Sequence, residues 1–115
     1  MWSMFLSSQF NQDISDWDVS SVNDMGFMFA ETNFNQDISK WDVSNVTDMR
    51  YMFCKSKFNQ DISEWNVSNV KSMRGMFMES SFKQDISGWY LNILVSDVEM
   101  FKDSVMPPEY MPKKY

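Results

Sequence analysis

Four methionine pairs, Met1 and Met4, Met25 and Met28, Met49 and Met52, and Met73 and Met76, each read Met-x-x-Met. Clustered thioethers are donors for Cu(I). The same spacing also puts both side chains on one apolar face, and methionine fills cores well, so the pairs read as core. Aspartates recur as rows: Asp13, Asp37, Asp61 and Asp85 form one, and Asp18 with Asp42 a second. Such rows can hold Ca²⁺, and repulsion along them would raise some carboxyl pKa values. The second row is interrupted by Asn66 and Tyr90, and no Asp-x-Asp-x-Asp loop is present. Capping of turn backbone is the expected role, with no metal site. Cys54 is the sole cysteine and the chain has no histidine. The thiol thus has no base beside it and reads as packed and unreactive. The commonest general base is missing too, and the carboxylates are iterated where a catalytic pair would occur once. The chain reads as a non-enzyme without a cofactor. Trp17, Trp41, Trp65 and Trp89 could form a sugar-binding platform, but a buried ladder is expected where so few large side chains are present.

These rows exist because the sequence repeats every 24 residues. Phe10, Phe34, Phe58 and Phe82 are one column, and Ile14, Ile38, Ile62 and Ile86 another. A fixed period in this range is the mark of coils stacked one on the next. A lone coil buries too little to offset the ordering of its backbone, so stability comes from the stack. Asn11, Asn35 and Asn59, then Gln12, Gln36, Gln60 and Gln84, would form amide ladders at a strand-like coil spacing of about 4.8 Å. The stretch Gln36–Trp41 reads as a short parallel strand. Val43, Val46, Met49, Met52 and Phe53 are spaced three, three, three and one, which suits about two turns of helix. Ser44, Thr47 and Asp48 are its candidate N-caps.

The regular coils are 10–33, 34–57 and 58–81. Met1–Phe5 match Met25–Phe29, and residues 1–9 read as a partial coil or N-terminal cap. Residues 82–101 are a divergent last coil. There, Asp97–Phe101 reads as one residue shorter than Asp48–Phe53, offset by an insertion before Asp97. Residues 102–115, with three prolines and no further repeat, read as a C-terminal cap that blocks strand addition.

With 10 basic and 16 acidic residues the net charge is −6, which disfavours nucleic acid and anionic membrane surfaces as partners. No apolar run approaches the ~20 residues needed to cross a bilayer, so direct membrane insertion is not expected. The N-terminus lacks the basic and long apolar regions of a secretory signal.

The string FNQDISKWDVSNVTDMRYMF, residues 34–53, resembles the repeat of the BspA-like or DUF285 surface-protein family. The resemblance covers residues 1–101. It implies a right-handed, leucine-rich-repeat-like α/β solenoid with short parallel strands and short helices. It also implies a role in adhesion or protein binding at a cell surface. The partner it suggests is a protein or a glycan. The chain departs from the family in having few coils and no lipoprotein signal.

Solenoids place recognition on columns that vary. Asp16, Lys40, Glu64 and Gly88 are one such column. Gly26–Phe27, Arg50–Tyr51 and Arg74–Gly75 are a second, and Glu31–Asn33, Lys55–Lys57 and Glu79–Ser81 a third. Phe27, Lys40, Arg50, Tyr51, Glu64 and Arg74 are the candidate interaction surface, with Arg and Tyr favoured as anchors. The alternative is a structural tile that associates end to end through an open coil edge, as in a surface layer or virion.

Overall fold

The structure, a computed structural model describing residues 1–115, turns the Met-rich stretch of each coil into a ribbon of overlapping turns. Alternate N–H groups in it serve different partners. Met28 and Ala30 donate to the carbonyls of Met25 and Phe27, at 3.2 Å each, and close turns within the coil. Phe27, Phe29 and Glu31 instead donate to Arg50, Met52 and Cys54 of the following coil, at 2.8–3.0 Å. The pattern recurs one coil on, from Tyr51, Phe53 and Lys55 to Arg74, Met76 and Met78. It recurs again from Gly75, Phe77 and Glu79 to Val98, Met100 and Lys102. At the N-terminal end Ser3, Phe5 and Ser7 make the same three bonds to Gly26, Met28 and Ala30.

The helix expected over Met49–Phe53 is therefore not formed. An α-helix directs its N–H groups along its own axis, and neighbouring helices would share no backbone bond. The ribbon bonds its neighbour by turning left-handed at intervals. Positive φ, between 52° and 59°, recurs at Ser3, Phe27, Tyr51, Gly75 and Glu99, and at Ser7, Glu31, Lys55, Glu79 and Asp103. Each non-glycine in that region costs about 1–2 kcal/mol. With Met25, Met49 and Met73 donating to Asp48, Ser72 and Ser96, each joint has four such bonds; at ~0.5–1.5 kcal/mol net apiece they offset the two strained residues of a coil. Asp24 and Asp48 cap the ribbon entrance, accepting from the Gly26 and Arg50 N–H at 2.9 and 3.0 Å. Single parallel bridges run through this point, Asp24 to Asp48 to Ser72 to Ser96.

Nor does Gln36–Trp41 form a strand. Side chains join the coils here. The Asn35 N–H donates to Asn11 Oδ1 at 2.9 Å, Asn59 to Asn35 at 2.8 Å, and Lys83 to Asn59 at 2.9 Å. Gln36, Gln60 and Gln84 reach back to the same asparagines. Rings of the adjoining column, Phe10, Phe34, Phe58 and Phe82, repeat at 5.9–6.1 Å. Here the asparagine side chains supply the acceptors between coils that backbone carbonyls supply in the ribbon.

The core lies between the two halves of each coil. A second phenyl column, Phe5, Phe29, Phe53, Phe77 and Phe101, repeats at 5.6–5.7 Å. It packs against the first column, with Phe29 4.2 Å from Phe34 and Phe53 4.3 Å from Phe58. Met25, Met28, Met49, Met52, Met73 and Met76 are wholly enclosed beside them.

The last coil needs no insertion or deletion. Met73 donates to the Ser96 carbonyl and Gly75 to Val98 at the offsets used by earlier coils, so Asp97 stands where Met73 stands. The irregularity is confined to the preceding bend. Its closing bond runs from Val95 to Asn92, where the earlier coil uses Val70 to Val67. That one-residue slide seats Val95 inside and leaves Ile93 and Leu94 outside. The tail caps only part of this coil. A 3₁₀ turn at Pro108–Tyr110 precedes a short pairing of β1 (Tyr90–Leu91) with β2 (Lys113–Lys114). The tail touches the ribbon only at its start, where Lys114 pairs with Asp97 at 3.1 Å, and the N–H groups of Glu99, Phe101 and Asp103 have no backbone acceptor.

Candidate interaction surface

The column of positive φ that shapes the ribbon also carries two partly exposed aromatic side chains. Phe27 and Tyr51 stack at 4.9 Å and 21°, and Trp2 meets Phe27 edge-on at 5.8 Å. Two glycines make this ladder possible. Tyr51 lies so close over Gly75 that a Cβ there would sit 2.3 Å from Tyr51 Cε1. Trp2 lies over Gly26 in the same manner, at 2.9 Å. An aromatic followed 24 residues later by glycine, Trp2 by Gly26 and Tyr51 by Gly75, was the available sequence signal for this ladder. Trp2 sits in the partial coil, outside the variable columns of the regular coils.

Arg50 and Arg74 extend the strip from adjacent coils. Each is half exposed, and each holds only a surface ion pair: Arg50 Nε to Asp48 at 3.2 Å, Arg74 to Glu99 at 3.7 Å. Such pairs contribute little, roughly 0–1 kcal/mol, so both guanidiniums can exchange partners. Four of the six candidates, Phe27, Arg50, Tyr51 and Arg74, are thus brought together. Lys40 and Glu64 lie elsewhere, on the exposed turn after the isoleucine column, beside shallow depressions lined by Asp37 and Asp61. No hydrogen bond or ion pair links them to the strip.

The third variable column is not a recognition surface at its centre. Thr32, Ser56 and Ser80 are buried. Thr32 donates to the Phe29 carbonyl at 2.6 Å, and Ser56 and Ser80 accept from the Phe58 and Phe82 N–H groups. They are turn caps.

The aspartate rows are caps as well. Asp13, Asp37, Asp61 and Asp85 accept from the N–H two residues on, at 2.8–2.9 Å. Asp18 and Asp42 accept both the N–H and the hydroxyl of Ser20 and Ser44. Repulsion along the rows does not raise their pKa values. The bonds from these serines dominate and hold all six carboxyls below the ordinary aspartate value. No three ligating groups converge as they would around a metal ion. Trp41 and Trp65 are buried and donate their indole N–H to Ile14 and Ile38 carbonyls, at 3.1 and 3.0 Å. Their faces are therefore closed to a sugar. Cys54 is buried, and burial pushes its thiol pKa up.

Residues 1–109 match the family described as Mycoplasma protein of unknown function, DUF285, and the chain belongs to that family. No curated protein and no solved structure gives a significant match.

Proposed function

We propose that this DUF285 member is a non-enzymatic binding module, a right-handed leucine-rich-repeat-like solenoid that docks a protein partner at a cell surface. The observation that carries the reading is the strip of Trp2, Phe27, Tyr51, Arg50 and Arg74. The phenyl columns, asparagine ladder and aspartate caps are all engaged within the stack. The strip holds large side chains that the stack itself does not need. Partly exposed aromatic faces beside loosely paired guanidiniums suit a segment bearing apolar and carboxylate side chains. A protein partner fits better than a glycan, because Trp41, Trp65 and Trp89 are buried and the column leaves only Trp17 exposed, too little for an extended stacking platform. The cell-surface location rests on the family resemblance.

The test pans a displayed peptide library on the wild-type chain and measures the retained peptides against Arg50→Ala/Tyr51→Ala/Arg74→Ala. The peptides should be acidic and aromatic, and should bind the variant at least about tenfold more weakly. Equal binding to the variant, with its melting curve intact, would sink this surface.

A further inference from the structure

The bend ahead of the ribbon is tied to the preceding coil by an asparagine. Asn45 and Asn69 stand just before the buried Val46 and Val70, and donate their side-chain amides to the Ser20 and Ser44 carbonyls at 2.7 Å each. In the last coil the slide of one residue puts Leu94 in that place, just before the buried Val95. Leucine has no amide to give. The Ser68 carbonyl, next in the series, therefore takes no bond from the protein. The rung between the last two bends is missing, and its cause lies wholly within residues 68–95.

The same two bends line a cleft of about 350 Å³, at the small end of the range for ligand sites. Its lining divides by chemistry. Val70, Leu94 and Val95 are apolar, and Leu94 is the most exposed large apolar residue of the chain, at 88%. Lys71 is the one charged residue in the lining. Its backbone is fixed on both sides, since its N–H donates to Thr47 at 2.8 Å and its carbonyl accepts from Ser96 at 3.0 Å. Its side chain is free, because the ammonium forms no ion pair. Asp97, the acid that follows the bend, is taken by Lys114 at 3.1 Å. The cleft thus offers a backbone acceptor, an apolar wall and an unpaired cation.

We infer that this cleft captures the C-terminal residue of a partner polypeptide, one with an apolar last side chain. Such a residue carries all three complements. Its backbone N–H takes the Ser68 carbonyl in place of the missing asparagine. Its side chain covers Leu94 beside Val70 and Val95. Its carboxylate meets the Lys71 ammonium in a charge-assisted bond, stronger than a neutral one. An alkyl carboxylate lacks the N–H, and an internal peptide segment lacks the terminal carboxylate. The site uses neither Arg50 nor Arg74, so it and the aromatic strip can each fail without the other.

The probe is an N-acetylated hexapeptide, Gly-Ser-Gly-Ser-Gly-Leu, with a free carboxylate, titrated to about 10 mM into the whole chain and followed by heteronuclear NMR. Backbone signals of Ser68–Lys71 and Asn92–Val95 should shift and saturate, while those of Phe27, Arg50 and Tyr51 stay in place. The same peptide with an amidated C-terminus should bind about tenfold more weakly. Lys71→Met should bind acid and amide alike, at the level of the amide. Leu94→Asn restores the rung and should bind neither. Both positions are exposed, so circular dichroism should report a wild-type fold for each variant. Acid and amide bound equally by the wild type, or a preference for the acid that survives in Lys71→Met, overturns the inference. So does an absence of saturable shifts at these residues, or octanoate binding as tightly as the peptide acid.

Discussion

Replacing Gly75 with alanine probes the aromatic ladder directly. Gly75 has φ of +59°, and its missing Cβ would lie 2.3 and 2.5 Å from Tyr51 Cε1 and Cδ1. Two costs follow. Alanine in the left-handed region loses about 1–2 kcal/mol. The ring must also swing off its site and abandon its stack on Phe27, 4.9 Å away, a further ~0.5–1.5 kcal/mol. The expected loss is about 1.5–3.5 kcal/mol in all. The obstructing atoms belong to a side chain that can rotate, so the backbone joint beneath should survive. Urea unfolding followed by circular dichroism, in wild-type and Tyr51→Ala backgrounds, separates the two costs. In the Tyr51→Ala background only the backbone cost of about 1–2 kcal/mol should remain. An equal loss in both backgrounds would mean that the ring does not lie over Gly75, and the ladder would have to be redrawn.

The tryptophan column gives a paired prediction. Trp65→Phe removes a buried bond to the Ile38 carbonyl and should cost about 1 kcal/mol more in urea unfolding than Trp89→Phe, whose indole N–H has no partner. Acid should destabilise the fold. The six capping aspartates have lowered folded-state pKa values, so their stabilisation is present above the unfolded value and is lost as pH falls through the folded one. Asp42→Asn, which imitates the Asn66 cap, should keep neutral-pH stability and flatten the acid limb of a melting-temperature profile. A limb as steep as the wild type's would show that Asp42 takes no part in it. Cys54 should resist a thiol reagent at neutral pH until urea unfolds the chain, since the thiol is buried and its pKa raised. Rapid labelling of the native chain would contradict its place in the core.

The columns were legible because a constant period fixes which residues become neighbours before any conformation is known. Phe29, Phe53 and Phe77 had to face one another whatever the backbone did. The backbone itself was not legible, because i, i+3 spacing belongs equally to a helix and to a run of turns. What distinguishes them is where alternate N–H groups go, and that is decided by the next coil. Positive φ was hidden as well. Glycine would have announced it, but Phe27, Tyr51 and Glu99 occupy the column, and glycine stands there only at Gly75. Variability picked out Arg50 and Tyr51 together with Lys40 and Glu64, since a column that tolerates change need not share a face with another. Ser56 and Ser80 were misplaced because a cap needs only an oxygen, and threonine supplies the oxygen of Thr32 by a different bond.

The rungs between ribbons have a mechanical consequence. They run from one coil to the next, so a force that separates the two ends of the stack draws on them lengthwise. The terminal coil should peel away first while the rest stay closed, and each release frees 24 residues, about 80 Å of extended chain. Extension would therefore proceed in equal steps at modest force, giving a tether that lengthens by counted increments before it breaks.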